Sequence, residues 1–311
     1  MDVAIAGGGI IGLASAWELA RRGVRVAVHD PKATGQASWA AAGILGPQSE
    51  AHAPSPMLDL CRASFALYPE FVESLQAEVG FRRNGTLHLA FTDAEAAELR
   101  QRAEWQRRAG LRALERGPRE FFFPDEGQVD NRKLLEALRS VCARAGVVLT
   151  SAPVQRPDVI CAGSWSAQVA PSLPVRPVRG EMLAIDAAPP AQVIFGGGGY
   201  LVPRGSITLV GATADEAGFE ATPSARGREF LLEVARRHGL GGAKVLDHWA
   251  GLRPATRDGL PLLGRLPGGA IVATGHYRNG ILLAPITARI VAALARDESP
   301  PVDLAPFRPD R

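Results

Sequence analysis

The pattern of apolar and polar residues at the start of the chain predicts a strand, a helix and a second strand. Residues 2–6 carry their larger apolar side chains at alternate positions and end at a run of glycines. From Ile10 to Arg22 apolar side chains recur at helical spacing. Gly23 is the residue type that commonly follows a helix. The β-branched run at 24–29 then predicts the second strand.

Periodicity predicts further elements along the rest of the chain. Helical patterns cover residues 95–110, 130–146, 225–238 and 280–297, and strand patterns cover 181–185 and 206–213. Asp130 and the Thr-Pro-Ser run at 222–224 have the chemistry of helix starts. Residues 299–311 are rich in proline and end in charge, so we expect a tail that lies on the surface.

Three glycines in the first turn form a G-x-G-x-x-G motif. Gly7 permits a tight turn, Gly9 lets a pyrophosphate approach the helix N-terminus, and Gly12 lets the helix pack closely on the strand. Asp30 follows the second strand, where a carboxylate receives the ribose hydroxyls of an adenosine. These residues predict a dinucleotide site, and the acid disfavours a 2′-phosphate. The motif alone does not separate FAD from NAD.

Composition and charge argue against several classes of protein. The chain has 311 residues, of which 46% are hydrophobic and 22% are charged, as in ordinary globular proteins. The net charge is +3, and the arginine pairs lie on separate predicted helices, which favours solvated helix faces over a nucleic-acid-binding stripe. Cys61, Cys142 and Cys161 form no Cys-x-x-Cys pair, so we expect neither a metal site nor a disulfide.

The sequence also predicts where in the cell the protein is found. It holds no run of about 18 or more apolar residues, which a membrane-spanning helix requires. Its start lacks the basic region of a signal peptide, and the first apolar run breaks at glycine. We therefore expect a soluble, cytoplasmic protein. A homo-oligomer stays open, because the sequence does not fix the oligomeric state.

The segment GQASWAAAGILGP at 35–47 is unusually rich in small residues. Small side chains let a chain pass close to a flat ligand, and they also suit a small-residue helix or a packing loop. Two further stretches stand out near the end of the chain, WAGLRPATRDGLPLLG (249–264) and ATGHYRNGILLAP (273–285). Arginine in such apolar surroundings needs an anionic partner, because an unpaired buried charge is costly.

These stretches resemble the flavoprotein family of D-amino acid oxidases, sarcosine oxidases and glycine oxidases, and most closely the glycine oxidases of thiamine biosynthesis. VRPVRGEMLAI (175–185), GYLVPR (199–204) and LVGATAD (209–215) fit the same group. The resemblance implies an α/β fold in which a Rossmann-like FAD-binding domain, of the glutathione-reductase type, is interleaved with an α+β substrate domain built on an antiparallel sheet. We place the FAD domain at 1–47, 124–172 and 246–311, and the substrate domain at 48–123 and 173–245.

The resemblance also implies noncovalent FAD in an extended pose. No cysteine follows Cys161, so the C-terminal attachment found in some relatives is not available here. The FAD contacts that it implies in the first part of the chain are Gly7, Gly9, Ile10, Ile11, Gly12, Asp30, Pro31, Ala37, Ser38, Ala42, Gly43 and Ile44. Those in the rest of the chain are Val154, Gly163, His276, Tyr277, Arg278, Asn279, Gly280, Ile281 and Leu282.

On the substrate side, Arg253 and Arg278 match arginines that meet a substrate carboxylate, and Tyr200 matches a tyrosine that helps close the site. Arginine suits this task because its planar fork binds a carboxylate bidentately. We expect the partner of Arg278 to be the substrate carboxylate and not a protein side chain. No catalytic side chain is expected, because the flavin carries the chemistry and the protein supplies position and field.

The implied activity is oxidation of glycine, or of another small amino acid or amine, to the imine and oxo acid with reduction of O2 to H2O2, in thiamine (thiazole) biosynthesis. One alternative is an oxidase or dehydrogenase of the same fold that acts on D-amino acids, D-proline or sarcosine and passes electrons to another acceptor. Another is a flavin-binding structural or sensor module without turnover, which the two arginines oppose.

The chain departs from the family pattern at several positions. Ile44 and Ala214 stand where several relatives carry methionine, and we expect the smaller Ala214 to widen the pocket. Gly198 replaces a bulkier residue, so we expect a mobile lid at 195–201. Few residues separate the strands predicted near 150 and 158, where relatives usually place a β-meander, so we expect a more open adenine side.

Overall fold

The computed structural model describes residues 2–311. Its α-helices are α1 (Ile10–Arg21), α2 (Ala37–Ala40), α3 (Pro56–Ser74), α4 (Asp93–Arg108), α5 (Asn131–Arg144), α6 (Ser166–Val169), α7 (Ala225–Arg237) and α8 (Gly280–Ala295). Its strands are β1 (Asp2–Ala6), β2 (Arg25–His29), β3 (Ile44–Leu45), β4 (Thr86–Leu89), β5 (Leu114–Gly117), β6 (Glu120–Phe123), β7 (Gly127–Gln128), β8 (Val148–Thr150), β9 (Val159–Ile160), β10 (Arg176–Asp186), β11 (Val193–Gly196), β12 (Gly199–Arg204), β13 (Ile207–Gly211), β14 (Lys244–Ala255), β15 (Leu262–Arg265) and β16 (Ile271–Thr274).

The N-terminal strand lies inside a six-stranded sheet of order β15-β16-β9-β1-β2-β8. All neighbouring pairs in it are parallel except β15 and β16. Helices α1, α5, α3 and α8 contribute buried residues to the same hydrophobic core as β1, β2 and β9. Leu13 and Leu19 of α1 are buried there. The predicted strand, helix and second strand are confirmed.

The helix boundaries follow from local chemistry. Gly23 has a φ of +79° directly after the first helix, a conformation that favours glycine. Asp130 accepts hydrogen bonds from the backbone N–H groups of Arg132 and Lys133 at the start of α5, and Ser224 caps α7 in the same way. These side chains satisfy donors that a helix start leaves without partners.

A second sheet of eight strands has the order β14-β10-β13-β12-β11-β4-β6-β5. Its pairs are antiparallel except β11 with β4. Side chains alternate between its two faces, as the pleat requires. Leu183, Ile185 and Val210 form a core with residues of α7, while Met182 and Tyr200 belong to a core with Ala40 and Ala42. The small-residue segment therefore packs on the face opposite to α7.

The C-terminal residues are more tightly held than we expect from their composition. Phe307 is buried in the core of the six-stranded sheet, and Pro309 lies against Gly264. The guanidinium of Arg311 forms an ion pair with Asp258 at 2.8 Å. The segment 299–311 lies on the surface as expected, since Phe307 is its one buried residue and anchors it to the core. Across residues 2–311, no helix is long and apolar enough to cross a membrane.

Candidate active site

A cavity of about 760 Å³ is lined by residues of both large sheets. One end is formed by the turn after β1, and the other by the first residues of α8 and by β10, β12 and β14. Ligand cavities commonly have volumes of about 300–1,000 Å³. This cavity lies in the upper part of that range, as a dinucleotide with a substrate beside it requires.

The nucleotide end of the cavity begins at the turn between β1 and α1. Gly7 has a φ of +106°, and a Cβ there would collide with the backbone carbonyl of Cys161. A Cβ on Gly8 would stand 2.7 Å from the side chain of Asp30. Gln36 Nε2 donates a hydrogen bond of 3.3 Å to that carboxylate. The bare turn therefore leaves room for Asp30 to line the cavity where a ribose is expected.

Backbone donors at the start of α1 line the same region. The N–H of Ile10 donates to Ser38 Oγ at 3.0 Å, and the capping residue Gly9 supplies no side-chain cap of its own. Ile11 also lines the cavity. A helix N-terminus favours an anion, since the helix dipole is positive there. Ser38 and this helix end therefore form a suitable site for the pyrophosphate of a dinucleotide.

The small-residue segment is held against the cavity from several sides. Asn131 Nδ2 donates to the carbonyl oxygens of Ser38 and Trp39 at 2.8 and 3.0 Å, and Arg204 Nη2 donates to that of Ala42 at 2.8 Å. Gly43 has a φ of +75°, and a Cβ there would collide with a backbone carbonyl. The segment contains the short helix α2 and also lines the cavity, so both interpretations of its small residues apply.

Gly163 gives a second test of whether the site accepts a bound cofactor. It has a φ of +54°, and a Cβ there would meet no heavy atom within 4 Å. Gly163 lines the cavity, so glycine is required by the backbone and leaves open space beside it. The bare turn after β1, the N-terminus of α1, the Asp30 carboxylate and the open space beside Gly163 therefore all fit FAD.

At the far end of the cavity the chain turns from β16 into α8. His276 is buried, and its Nε2 lies 3.1 Å from Thr287 Oγ1. Burial lowers the pKa of His276 to about 3, so the ring is neutral at pH 7. The N–H of Tyr277 donates to the carbonyl of Pro254 at 2.9 Å. This turn places Asn279, Gly280 and Ile281, at the start of α8, in the cavity lining.

Arg253 projects from β14 at the same end. Its Nη1 donates to the carbonyl of Thr213 at 2.8 Å. Gly180 of the neighbouring strand makes room for it, because a Cβ there would collide with the guanidinium. Arg253 also lines the cavity. The guanidinium therefore has a fixed position and retains further N–H donors for an anion.

Tyr200 lies beside the two predicted arginines. Burial raises the pKa of Tyr200, although the charges of Arg253 and Arg278 lower it in part. Gly211 leaves space for the ring, because a Cβ there would collide with it. The Tyr200 ring also packs edge-to-face against Phe195, with centroids 5.8 Å apart. The phenol is neutral and can serve as a hydrogen-bond donor.

Arg278 lines the cavity, but it already has a protein partner. Its Nη2 lies 2.6 Å from Oε1 of Glu50, and the two side chains are 37% and 38% exposed. Burial alone would lower the pKa of Arg278, but Glu50 offsets this effect and the pKa is raised. The expectation that a substrate carboxylate would be its partner in place of a protein side chain is therefore wrong.

Most of the residues predicted as cofactor contacts line one cavity. These are Gly7, Gly9, Ile10, Ile11, Asp30, Pro31, Ala37, Ser38, Ala42, Gly43, Ile44, Val154, Gly163, His276, Tyr277, Arg278, Asn279, Gly280 and Ile281. Gly12 and Leu282 do not line it. Gly12 instead packs against the carbonyl of Gly7, and Leu282 is buried behind the start of α8.

One of the predicted departures is wrong. Ala214 is exposed and does not line the cavity, so this residue does not widen the pocket. In the segment 195–201, where a mobile lid is predicted, Phe195 and Tyr200 line the cavity and the hairpin tip at 196–199 does not. His238 Nε2 lies 3.1 Å from the carbonyl oxygen of Gly196, which ties the tip to the end of α7. The mobility of the segment stays a prediction. Val154, in the loop between β8 and β9, lines the cavity as expected.

Sequence reasoning missed four residues that shape the site: Gly8, Glu50, Gly180 and Gly211. The three glycines carried a usable signal, since each interrupts or ends a strand or turn next to a predicted site residue. Glu50 carried none, because an acid after a turn is typical of any exposed loop. Its pairing with Arg278 joins positions more than two hundred residues apart.

The comparisons with known proteins agree with this geometry. Residues 2–294 match the family model DAO, described as FAD dependent oxidoreductase. The chain is 38% identical over 354 aligned positions to the bifunctional protein ThiO/ThiG of Synechocystis sp., covering 100% of this chain and 54% of that protein. The chain therefore spans about half the length of that relative.

Two further similarities involve Geobacillus kaustophilus. The chain is 37% identical to its glycine oxidase, covering 98% of this chain and 96% of that protein. A crystal structure of glycine oxidase from the same organism matches with a TM-score of 0.92 at 35% identity, covering 100% of this chain and 98% of that one. The predicted fold class is thereby confirmed. The chain belongs to the DAO family of FAD-dependent oxidoreductases, and FAD is its cofactor.

Proposed function

We propose that the protein oxidises glycine, or a closely similar small amino acid, to the imine and oxo acid, with O2 as electron acceptor and H2O2 as product. The observation that carries this proposal is the position of Arg253, Tyr200 and Arg278 at the end of the FAD cavity where α8 begins. The similarity to relatives named glycine oxidase supports it. A role in the thiazole branch of thiamine biosynthesis, in the cytoplasm, belongs to the same proposal.

Substrate orientation comes from the carboxylate. Arg253 is held at Thr213 and Gly180, so it can bind the carboxylate through its remaining N–H donors. The neutral Tyr200 hydroxyl donates a further hydrogen bond. Arg278 can add a donor while its charge remains balanced by Glu50. Fixing the carboxylate in this way positions the α-carbon and its amine for reaction.

The protein orients the reacting groups and provides the electrostatic field around them. The chemistry that bound FAD would supply is acceptance of a hydride equivalent from the substrate α-carbon. The first-turn N–H groups of α8 line the cavity at Gly280 and Ile281 and stabilise negative charge there, since this end of the helix dipole is positive. His276 is neutral and buried against Thr287, so it adds no charge. No side-chain base is needed in this scheme.

Anaerobic mixing with glycine tests the proposal directly. The flavin absorbance near its oxidised maximum is expected to bleach on addition of glycine and to return on addition of O2, with one H2O2 formed per turnover. Sarcosine, D-alanine and D-proline serve as competing substrates at equal concentration. Failure of glycine to bleach the flavin removes glycine as the substrate. Bleaching without peroxide on re-oxidation would favour a dehydrogenase with another acceptor.

A further inference from the structure

The charged side chains that line the cavity are few. Asp30 lies at the nucleotide end, and Glu50, Arg253 and Arg278 lie at the substrate end. His276 is neutral there because burial lowers its pKa to about 3. Two arginines and one carboxylate leave a net charge of +1 at the substrate end. A substrate with one carboxylate therefore makes this end neutral, whereas a substrate with two carboxylates gives it a net negative charge.

Glu50 is carried on a firmly anchored segment, residues 46–51. Beneath it lies Glu126, which is fully buried. The Glu126 carboxylate accepts hydrogen bonds from the backbone N–H groups of Gln48 and Ser49 at 2.6 and 2.7 Å, and from the hydroxyls of Ser49 and Thr86. A carboxylate with this many donors holds its loop in one conformation.

Two further side chains hold the same segment through its carbonyl groups. Arg102 Nη1 donates to the carbonyl of Ser49 at 2.8 Å. Gln106 Nε2 donates to the carbonyls of Gln48 and Ala51 at 3.0 and 3.1 Å. Glu50 thus extends from a turn that is bound on both its N–H and its C=O sides. The fixed backbone therefore holds the Glu50 side chain beside Arg278, and the ion pair does not depend on a flexible loop.

We propose that Glu50 is a specificity-determining residue, which balances the charge of Arg278 and so restricts the site to amines with a single carboxylate. The proposal rests on the proposed function, because it concerns the substrate of that site. A second carboxylate on the amine would have to displace Glu50 from Arg278, or lie beside it as a like charge. Like charges placed side by side repel each other, and this disfavours a second carboxylate beside Glu50.

Binding of two matched ethers to the FAD-loaded protein tests this without turnover. Methoxyacetate carries one carboxylate and diglycolate carries two, and neither has an amine to oxidise. Each is titrated into the holoenzyme, and the shift in flavin absorbance gives its Kd. In the Glu50→Gln variant, diglycolate is expected to gain roughly three- to tenfold in affinity relative to methoxyacetate, because the freed Arg278 can pair with its second carboxylate and the repulsion from Glu50 is gone.

Two variants serve as controls. In the double variant Glu50→Gln/Arg278→Gln the gain for diglycolate should disappear, since the arginine that provides it is gone. Glu70→Gln removes the partner of Arg289, an ion pair of similar length, 2.7 Å, on the surface between α3 and α8. This variant should leave the ratio of the two affinities as in the unaltered protein. FAD content and thermal midpoint are recorded for each variant to confirm folding.

The outcomes separate this inference from the proposed function. An unchanged ratio in Glu50→Gln, a gain that persists in the double variant, or no binding of either ether to any variant overturns the role of Glu50. Turnover gives the parallel comparison, in which Glu50→Gln should raise kcat/KM for iminodiacetate relative to sarcosine by the same factor. A protein that oxidises no amine but shows the expected change in binding ratio would refute the proposed function alone.

Discussion

The two ends of the cavity are built in different ways. The nucleotide end comes mainly from residues 7–38, with Val154 and Gly163 beside them, and uses glycines, backbone N–H groups, the Ser38 hydroxyl and a single acid. The substrate end brings together Glu50, Tyr200, Arg253 and Arg278 from four separate parts of the chain. Backbone geometry determines the first, and side-chain charge determines the second. The nucleotide end suits a cofactor that is common to a large family, whereas the substrate end can vary with the substrate.

The largest expected effect falls on the nucleotide end. In Gly12→Ala the new Cβ would collide with the carbonyl oxygen of Gly7. We expect this variant to purify without FAD and without activity, and to lose about 1–3 kcal/mol of unfolding free energy. Absorbance of the purified protein and urea unfolding measure both. Gly268→Ala is the control, because a Cβ there meets nothing within 4 Å. Full FAD occupancy in Gly12→Ala would contradict the packing role.

At the substrate end, Arg253→Met should have the next largest effect. Loss of the charged carboxylate contact is expected to lower kcat/KM for glycine roughly 100- to 1,000-fold while FAD stays bound. Steady-state peroxide assays measure it. Arg257 lies on the same segment but is exposed, so Arg257→Met is the matched control and should change little. Equal losses of kcat/KM in the two variants would show that removing any positive charge from this segment lowers activity, and that the Arg253 contact has no special role.

The buried His276 predicts a pH dependence of stability. Its folded pKa of about 3 lies below the unfolded value of about 6.5. The neutral ring therefore contributes stability above pH 6.5, and this is lost as the pH falls from 6.5 toward 3. Relative to His276→Gln, the unaltered protein should lose about 2 kcal/mol of unfolding free energy between pH 7 and 5. Urea unfolding at both pH values checks this, and parallel losses would refute it.

The smallest expected effect is at Tyr200. Tyr200→Phe removes only the hydroxyl and leaves the ring packed on Phe195 and Gly211. One neutral hydrogen bond to the substrate contributes about 0.5–1.5 kcal/mol, so kcat/KM for glycine should fall about three- to tenfold. The loss should appear in KM more than in the rate of anaerobic flavin reduction at saturation. A loss as large as that in Arg253→Met would mean that the phenol has a larger role than a carboxylate contact.

The sequence predicted the nucleotide end well for a physical reason. A turn, a helix start and a strand end are local features, and glycine and aspartate have strong local preferences at such positions. The helix caps at Asp130 and Ser224 were predictable on the same basis. The domain boundaries stay a proposal, and β14, Lys244–Ala255, crosses the one placed at 246 while pairing along its length with β10.

The sequence by itself determined the G-x-G-x-x-G turn, the acid after β2, the helical C-terminus and the positions of the arginines. Only the tertiary structure decided that Arg278 is paired with Glu50, that Gly180 and Gly211 leave room for Arg253 and Tyr200, and that Ala214 is outside the cavity. Local pattern encodes backbone conformation. Which charges meet, and which side chains need space, depends on strands that are adjacent in the sheet but distant along the chain.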